Sequence, residues 1–139
     1  MRTNLNAKER AYVARARICH VGSVGKDGSP HTAPVSPVYD AKARTLYFAT
    51  ESGGRTAKNL RAKPRAALAF DDYSENWNGL HGVMLRARAR KLERGTEFER
   101  SVGLLRRKFK QYKSIEIDYV IALKVESIAA SWGLEPRRR

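Results

Sequence analysis

The chain has 139 residues, 42% of them hydrophobic and 30% charged, which is enough for one hydrophobic core under a very polar surface. A single cysteine, Cys19, excludes an intrachain disulfide and a cysteine-based metal cluster, and no stretch approaches the roughly 20 apolar residues of a membrane-spanning helix. The first residues have no apolar run typical of a secretory signal. We expect one soluble, cytoplasmic domain over residues 1–139, with Cys19 buried and mobile termini at 1–9 and 134–139.

The net charge of +14 has two interpretations. A basic surface raises the local concentration of an anionic partner, which would be a nucleic acid, an acidic membrane or a phosphorylated cofactor. The alternative is that the cationic side chains only keep the surface solvated. They are spread along the chain, are densest over residues 86–113, and end in the run 137–139. Charge alone does not distinguish the two interpretations.

The first third of the chain predicts a helix followed by a hairpin. Asn6 and Glu9 have the spacing of a capping box, which predicts a helix over residues 6–16. The alternating segment 18–24 predicts a strand, and the turn 25–28 contains Asp-Gly, a strong hairpin signal. A second strand is expected over 31–39. Its prolines place it at an edge, bulged or bent, where free backbone groups would either meet a ligand or protect the edge from aggregation.

The next segment contains the candidate anion site. Residues 45–50 (TLYFAT) predict a strand, and residues 55–61 predict a short helix that Lys63-Pro64 ends. Between them lie Ser52 and two glycines, small residues that let a backbone approach a ligand closely. A helix N-terminus offers unpaired N–H groups to a phosphate, and Arg55 with Lys58 adds charge there. The Gly-Lys-Ser/Thr ending of a Walker loop is absent, so the motif alone is weak.

The segment 66–79 combines an apolar strand with a polar loop. Residues 66–70 (AALAF) predict a strand buried on both faces. The loop 71–79 holds three carboxylates but no histidine at ligand spacing, so we expect no metal site. Trp77 in this loop has three interpretations: it covers a planar ligand, fills a subunit interface, or packs within its own chain.

The C-terminal half predicts two strands around an amphipathic helix. Residues 83–92 alternate, with Arg86, Arg88 and Arg90 on one face, where they would bind phosphates, pair across strands or be solvated. Thr96 and Glu99 have capping-box spacing, and a stripe from Phe98 to Tyr112 predicts a core-facing helix. Residues 119–130 predict a last strand, with Tyr119 and the alternate residues after it on one face. Six strands without a strand-helix-strand rhythm favour an α+β fold with an antiparallel barrel.

The ordered series of motifs resembles the pyridoxamine 5′-phosphate oxidase-like superfamily, whose members have a flavin-binding split β-barrel. The matching segments are DGSPH at 27–31, VYD at 38–40, TLYFAT at 45–50, RTAKNL at 55–60 and KPRAAL at 63–68. Further segments, DDYSENW at 71–77, HGVMLRARARKL at 81–92 and KFKQY at 108–112, are similar to a subgroup that includes deazaflavin-dependent oxidoreductases. The resemblance spans residues 10–133.

The resemblance implies a homodimer with two cofactor sites at its interface and FMN, or the deazaflavin F-420, as the cofactor. Family members bind the flavin phosphate through the second strand and through a Ser-Arg-Lys-like segment after the third. In this chain Arg55 keeps the arginine, Thr56 stands where a lysine is usual, and Lys58 compensates. Asn59 with Leu60 would anchor the helix. The other implied contacts, together with the loop tryptophan, are Thr32, Ala33, Pro34, Val35, Ser36, Thr50, Ser52 and Trp77.

These observations favour a flavin-dependent oxidoreductase that transfers hydride to or from an unidentified small molecule. The oxidases proper have an arginine where this chain has Thr32, so we do not expect oxidation of pyridoxamine phosphate itself. No side chain is assigned a catalytic role. His31 is the best polar candidate near the flavin ring, with a structural role as the alternative, and His20 and His81 are expected to be structural.

Two further classes remain open. One is a basic nucleic-acid-binding module that uses Arg86, Arg88, Arg90 and the tail 137–139. It lacks exposed aromatic residues among its cations, which single-strand binders usually have. The other is a family member that binds haem or no cofactor.

Overall fold

The computed structural model describes residues 2–136, which form an α+β domain of seven antiparallel strands and three α-helices. The helices are α1 (Ala7–Arg15), α2 (Arg55–Ala62) and α3 (Thr96–Lys108). The strands are β1 (Cys19–Val24), β2 (Pro30–Val35), β3 (Val38–Asp40), β4 (Thr45–Ala49), β5 (Arg65–Asp72), β6 (His81–Leu92) and β7 (Val120–Trp132). They form one sheet in the order β2-β1-β5-β6-β7-β4-β3.

The α+β class and the antiparallel pairing are confirmed, but the predicted number of six strands is wrong. The segment 31–39, expected to be one interrupted strand, is two strands, β2 and β3, at opposite edges of the sheet. Only Ser36 and Pro37 separate them. Pro37 has no N–H to donate to a ladder, and the residue before a proline is restricted in conformation, so pairing stops here. The predicted edge position of the proline-rich segment is correct for β2.

The short link between the two edges shows how strongly the sheet curls. A flat sheet of seven strands would place its outermost strands about 29 Å apart, at about 4.8 Å per strand. From Val35 to Val38 the chain makes three Cα steps, which span at most about 11 Å. The sheet must therefore curl until its edges come together beside this link. This curled sheet is a half-barrel, where the sequence predicts a split β-barrel.

Two apolar cores lie on the two sides of the curled sheet. The larger core lies inside the curl and includes Phe48, Leu68 and Ile121. The smaller core packs α3 against the outer side of β4 and β7 and includes Tyr47 and Leu105. β7 is therefore buried on both faces over its first half, although the sequence pattern assigns only one face to the core.

The opposite correction applies to β5. Its residues alternate between buried and exposed, and Ala67 on its outer face is exposed. The prediction of burial on both faces is wrong because α3 covers β4 and β7 and not this part of the sheet. An apolar composition made of alanines does not distinguish a covered face from an open one.

The N-terminal segment is tied to the last strand. The predicted capping box of α1 is confirmed, because the Glu9 N–H donates to Asn6 Oδ1 at 2.9 Å and the Asn6 N–H donates to Glu9 Oε1 at 2.8 Å. Leu5 and Leu134 are buried in the inner core, and Asn6 Nδ2 donates to the Leu134 carbonyl at 3.0 Å. The mobility expected for residues 1–9 and 134–139 stays a prediction, and residues 1 and 137–139 lie outside the described part.

The capping box predicted at the start of α3 is absent. Gly95, with φ of 99°, is the N-cap, and no side chain caps the helix. Thr96 is already the first helical residue, so Thr96 and Glu99 do not form a capping box. The apolar stripe is confirmed for Phe98 and Leu105, which are buried. The helix ends at Lys108, however, and Tyr112, predicted to continue the stripe, is half-buried in the 3-10 turn that follows. Cys19 is buried as expected, and burial raises the pKa of its thiol to about 12. Among residues 2–136, no helix is long and apolar enough to span a membrane.

Candidate cofactor site

A cleft of about 790 Å³ lies between the β1–β2 turn and the exposed side of α2. We call it the α2 cleft. The turn contributes Gly25 to Ser29 except Gly28, the start of β2 contributes Pro30 and His31, and α2 contributes the remaining residues. The turn forms where the sequence predicts it: the Gly28 N–H donates to the Gly25 carbonyl at 2.9 Å, and Gly28 has a φ of 87°. Such a positive φ is readily adopted by glycine.

The α2 cleft is strongly cationic. Four of the side chains that line it carry a positive charge, and Asp27 is the one carboxylate among them. The cations are Lys26, Arg55, Lys58 and Arg61. Hydrogen bonds from the backbone N–H and the hydroxyl of Ser29 lower the pKa of Asp27, and the charge of Arg55 lowers it further. Among the described residues, no carboxylate lies within ion-pair distance of Arg55 or Lys58, so both charges remain available to a ligand.

The N-terminus of α2 adds backbone donors to these charges. Its N-cap is Gly54, which provides no side-chain acceptor for the amides of the first turn, and that turn holds no acidic residue. Unpaired N–H groups and the helix dipole both favour an anion at this position. A side chain at Gly54 would come within 3.3 Å of the Glu51 carbonyl, so glycine suits the tight approach to the helix. The arrangement is chemically suited to a phosphate.

Asn59 and Leu60 anchor α2 on the sheet, as expected. Asn59 is buried, and its Nδ2 donates to the Ser23 hydroxyl on β1 at 3.1 Å. Leu60 is buried in the inner core. A side chain at Gly25 would lie 3.4 Å from Asn59 Oδ1, so the turn passes close to the helix. Because these contacts hold α2 beside the turn, the exposed cations of the helix face the cleft.

The structure brings together only part of the predicted site. Arg55 and Lys58 line the α2 cleft, and so does His31. The predicted segment from Thr32 to Ser36, which covers the end of β2 and the first residue of the link, does not line it. Thr32 and Pro34 are exposed, whereas Ala33, Val35 and Ser36 are half-buried, with Val35 packed on the inner core.

Four other predicted residues also lie outside the cleft lining. Thr56 is buried within α2, so the family's lysine position is not directed to the cleft in this chain. Thr50 is half-buried, and its N–H donates to the Tyr119 carbonyl at 3.2 Å. Ser52 is exposed, and its carbonyl accepts a hydrogen bond from Arg61 Nη1 at 2.8 Å. Trp77 is 75% exposed, which excludes the interpretation that it packs within its own chain.

Two cationic residues of the cleft, Lys26 and Arg61, are not singled out by the sequence patterns. Lys26 lies in a segment that reads as simple turn chemistry. Arg61 lies at the end of α2, where a basic residue is expected for the helix dipole. A usable signal exists for Arg61: it follows Lys58 by three residues and therefore lies on the same helical face.

The remaining histidines have no cluster of ligands around them. His81 lies beside Tyr12, with ring centroids 6.2 Å apart, and His20 is exposed on β1. Within residues 2–136 no group of three or more His, Cys, Asp or Glu side chains is placed to bind a metal ion.

The arginines on β6, Arg86, Arg88 and Arg90, form an exposed row as the alternation predicts. We call it the β6 row. Arg90 makes a two-pronged ion pair with Glu97 at 2.7 and 2.9 Å, and Arg88 lies 3.7 Å from Glu126. Two of its three arginines therefore have a carboxylate within ion-pair distance, closely for Arg90 and loosely for Arg88. The tail 137–139, expected to act with the row, lies outside the described residues.

The fold and the cleft together define a small antiparallel half-barrel protein with a cationic site between a hairpin turn and a helix N-terminus. Residues 5–131 match the family model described as pyridoxamine 5′-phosphate oxidase, and the chain belongs to that family. This confirms the resemblance to the superfamily, whereas the resemblance to the deazaflavin-dependent subgroup stays a prediction. No curated protein gives a significant sequence match.

Solved structures share the fold at low sequence identity. A conserved hypothetical protein of Mycobacterium tuberculosis has a TM-score of 0.74 and 18% identity, over 99% of this chain and 92% of that protein. A FAD-binding protein of Mesorhizobium loti has a TM-score of 0.68 and 18% identity, over 89% and 92%. A haem storage protein of Vibrio cholerae has a TM-score of 0.71 and 13% identity, over 94% and 96%. Similar folds thus occur in proteins that bind different cofactors.

Proposed function

We propose that this protein binds a flavin-type cofactor and acts as an oxidoreductase, with FMN as the first choice and the deazaflavin F-420 as the alternative. One observation carries the proposal: four cations line a cleft beside an uncapped helix N-terminus in a member of this family. The flavin-binding relative among the similar folds supports it.

In this proposal Arg55 and Lys58 bind the phosphate from the first two turns of α2, where the free amides of the helix add hydrogen bonds. Lys26 approaches the same anion from the turn. Lys58 and Lys26 together replace the charge that Thr56 does not supply. When bound, the flavin supplies hydride transfer, while the chain orients it and adjusts its electrostatics.

We further propose that the chain forms a homodimer in which the second subunit completes the site. The outer face of the sheet exposes apolar side chains that a monomer leaves in water, including Val24 and Met84, each 38% exposed, and Ala67 between them. Thr32, Pro34 and Trp77 are also exposed. In a dimer, Thr32 to Ser36, Thr50, Ser52 and Trp77 would contact parts of the cofactor beyond its phosphate.

Light scattering during size-exclusion chromatography tests the dimer. The wild type is expected at twice the mass of one chain, and Met84→Arg is expected to shift it toward the monomer because a charge would be buried without a partner. Lys110→Glu, at an exposed lysine just after α3, is the control. A monomeric wild type at the concentrations used for cofactor binding would contradict the proposal.

The cofactor is tested by titrating the purified protein with FMN, riboflavin, F-420 and haemin, read by absorption and fluorescence. FMN should bind at least about tenfold more tightly than riboflavin, because a charge-assisted phosphate contact contributes on the order of 1.5 kcal/mol or more. Competition between FMN and F-420 then identifies the preferred flavin. Equal affinity for FMN and riboflavin would contradict the phosphate site, and no binding of either flavin would contradict the function.

Haem is the second candidate, because a histidine, His31, lies in the cleft together with cations suited to haem propionates. A haem storage protein is among the similar folds. If haem is the cofactor, haemin should give a sharp Soret band that His31→Ala abolishes. A flavin complex with no such band would exclude this candidate.

A further inference from the structure

A second cleft, of about 330 Å³, lies on the other side of Arg61 from the α2 cleft. It is bounded by the end of α2, by Pro64, by the last part of β6 and by the start of β7. The Ala89 N–H donates to the Pro64 carbonyl at 2.9 Å, which fixes one wall against the other. Arg61 lines both clefts, but the flavin site proposed above assigns the phosphate to Arg55, Lys58 and Lys26 and leaves the rest of the second cleft unused.

The floor of the second cleft is apolar. Leu60, Ala89 and Ile121 form it, and each of them also belongs to the inner core. A ligand in this position would therefore contact hydrocarbon that is already fixed by packing. These residues are at most 7% exposed, so most of the apolar area covered on binding would belong to the ligand. Apolar area removed from water contributes roughly 25 cal/mol per Å², so the floor favours a ligand with an apolar body over a small hydrated ion.

Arg61 provides a charged group of fixed position at the edge of this floor. Its Nη1 donates to the Ser52 carbonyl at 2.8 Å and to the Tyr119 hydroxyl at 3.0 Å, and its guanidinium carbon lies 5.9 Å from the centroid of the Tyr119 ring. All three contacts are with neutral groups. In the described part of the chain no carboxylate lies within ion-pair distance of Arg61, so its charge is oriented but not neutralised.

The other two cations of the second cleft already have carboxylate partners. Arg90 is bound to Glu97 through two hydrogen bonds, and Lys91 lies 3.3 Å from Glu93 in an exposed pair. Exposed pairs of this kind contribute little, so Lys91 is free to turn toward a ligand. One uncompensated arginine and one loosely paired lysine suit a single negative charge better than the two charges of a phosphate monoester.

We infer that the second cleft binds an amphipathic monocarboxylate, an aliphatic or aromatic acid whose carboxylate pairs with Arg61 and whose hydrocarbon covers Leu60, Ala89 and Ile121. The planar guanidinium matches a carboxylate in a two-pronged geometry, and its Nε and Nη2 are the donors not used by Ser52 and Tyr119. The inference does not depend on the identity of the cofactor.

Octanoate is the probe, and isothermal titration calorimetry measures its affinity for the full chain. Acetate has the same head group without the body, and octylammonium has the same body with the opposite charge. Octanoate should bind at least tenfold more tightly than either. Equal affinity for octylammonium would reduce the interaction to a nonspecific apolar contact, and equal affinity for acetate would remove the role of the floor. Either result, or no binding, would overturn the inference.

The position is tested by methyl NMR of the wild type, which requires no substitution. Octanoate should shift the methyl signals of Ala89 and Ile121. Arg61→Gln should weaken binding at least tenfold and Lys91→Gln about two- to fivefold, whereas Lys110→Gln, an exposed lysine outside the cleft, should have no effect. If Arg61→Gln does not fold, the methyl shifts decide alone. Shifts confined to the α2 cleft, around His31 and Ala62, would overturn the assignment.

Discussion

The α2 cleft and the β6 row contain similar numbers of cationic side chains, but they differ in how many of those charges have a carboxylate partner. In the cleft Arg55 and Lys58 have no carboxylate partner among the described residues, and an uncapped helix N-terminus lies beside them. In the β6 row Arg88 and Arg90 are paired with carboxylates of β7 and α3. The density of arginines in a sequence is therefore a poor guide to an anion site, and the pairing of each charge is a better one.

The difference also separates the two classes of function. A nucleic-acid interface needs a continuous row of unpaired cations, and its affinity falls steeply with salt as phosphate contacts release counterions. A cofactor phosphate needs only a few donors that converge on one point. The α2 cleft has the second arrangement, and this supports a cofactor-binding protein over a nucleic-acid-binding module.

Removing the free charges of the cleft should have the largest effect. Arg55→Ala combined with Lys58→Ala is expected to weaken FMN binding roughly 100-fold or more, because two charge-assisted hydrogen bonds of about 1.5 kcal/mol each are lost. Riboflavin binding, which has no phosphate, should change little. Fluorescence titration measures both, and a urea denaturation midpoint close to that of the wild type shows that the fold is retained.

The matched control for this variant is Arg107→Ala combined with Lys110→Ala. Both residues are exposed near the end of α3, so the net charge falls by the same amount away from the cleft. FMN affinity should stay within about twofold of the wild type. An equal loss in both double variants would show that general surface charge, and not the α2 cleft, attracts the cofactor.

In the β6 row, removing the carboxylate partner of Arg90 should lower the stability of the fold rather than the affinity for the cofactor. The hydrogen bonds from Arg90 lower the pKa of Glu97, which burial opposes, and a further hydrogen bond from the buried Tyr47 brings the pKa to about 2. Glu97→Gln should cost about 1–3 kcal/mol of unfolding free energy at neutral pH, measured by urea denaturation. FMN affinity should remain unchanged.

The pH dependence of stability is an independent test of the Arg90–Glu97 ion pair. Because the pKa of Glu97 falls from 4.5 to about 2 on folding, its stabilisation is complete above pH 4.5 and is lost as the pH falls through about 2. The free energy of unfolding of Glu97→Gln should therefore fall less steeply than that of the wild type as the pH is lowered through this range. Glu99→Gln, an exposed change in the same helical turn, should leave the slope as it is. An unaltered slope in Glu97→Gln would contradict the assigned role.

The smallest effect concerns the exposed partner of Arg65 and Arg88. Glu126→Gln removes two surface ion pairs, at 3.3 and 3.7 Å, and frees both arginines. Such pairs contribute up to about 1 kcal/mol, so binding of a short double-stranded oligonucleotide should tighten by at most about fivefold. Fluorescence anisotropy measures it, with Glu116→Gln as the control. Tight, salt-sensitive binding by the wild type would show that the row is already available.

Local patterns predict most of the fold. The Asn6–Glu9 capping box and the strict alternation of β6 identify α1 and β6 correctly because each depends on neighbours in sequence. The division of 31–39 into β2 and β3 is not predictable in the same way. The prolines show that the ladder breaks, but not that the two halves lie at opposite edges, which depends on the curl of the whole sheet.

The candidate site is predictable only in part, for a related reason. Arg55 and Lys58 stand out because a helix start and small residues adjoin them in sequence. Lys26 joins them only because the β1–β2 hairpin folds back onto α2, a tertiary contact with no local signature. Trp77, with its side chain in solvent, would acquire a role only through a ligand or a second subunit, neither of which has a local signature.

The link of two residues between β2 and β3 has a consequence for how the barrel closes during folding. The two sheet edges are adjacent in sequence, so bringing them together costs little loop-closure entropy, whereas a barrel closed by distant strands pays that cost in full. Lys108 reinforces the link, since its Nζ donates to the Ala16 carbonyl at 2.5 Å and to the Pro37 carbonyl at 2.7 Å. Continuity of the chain thus holds the two edges of the barrel together at little entropic cost.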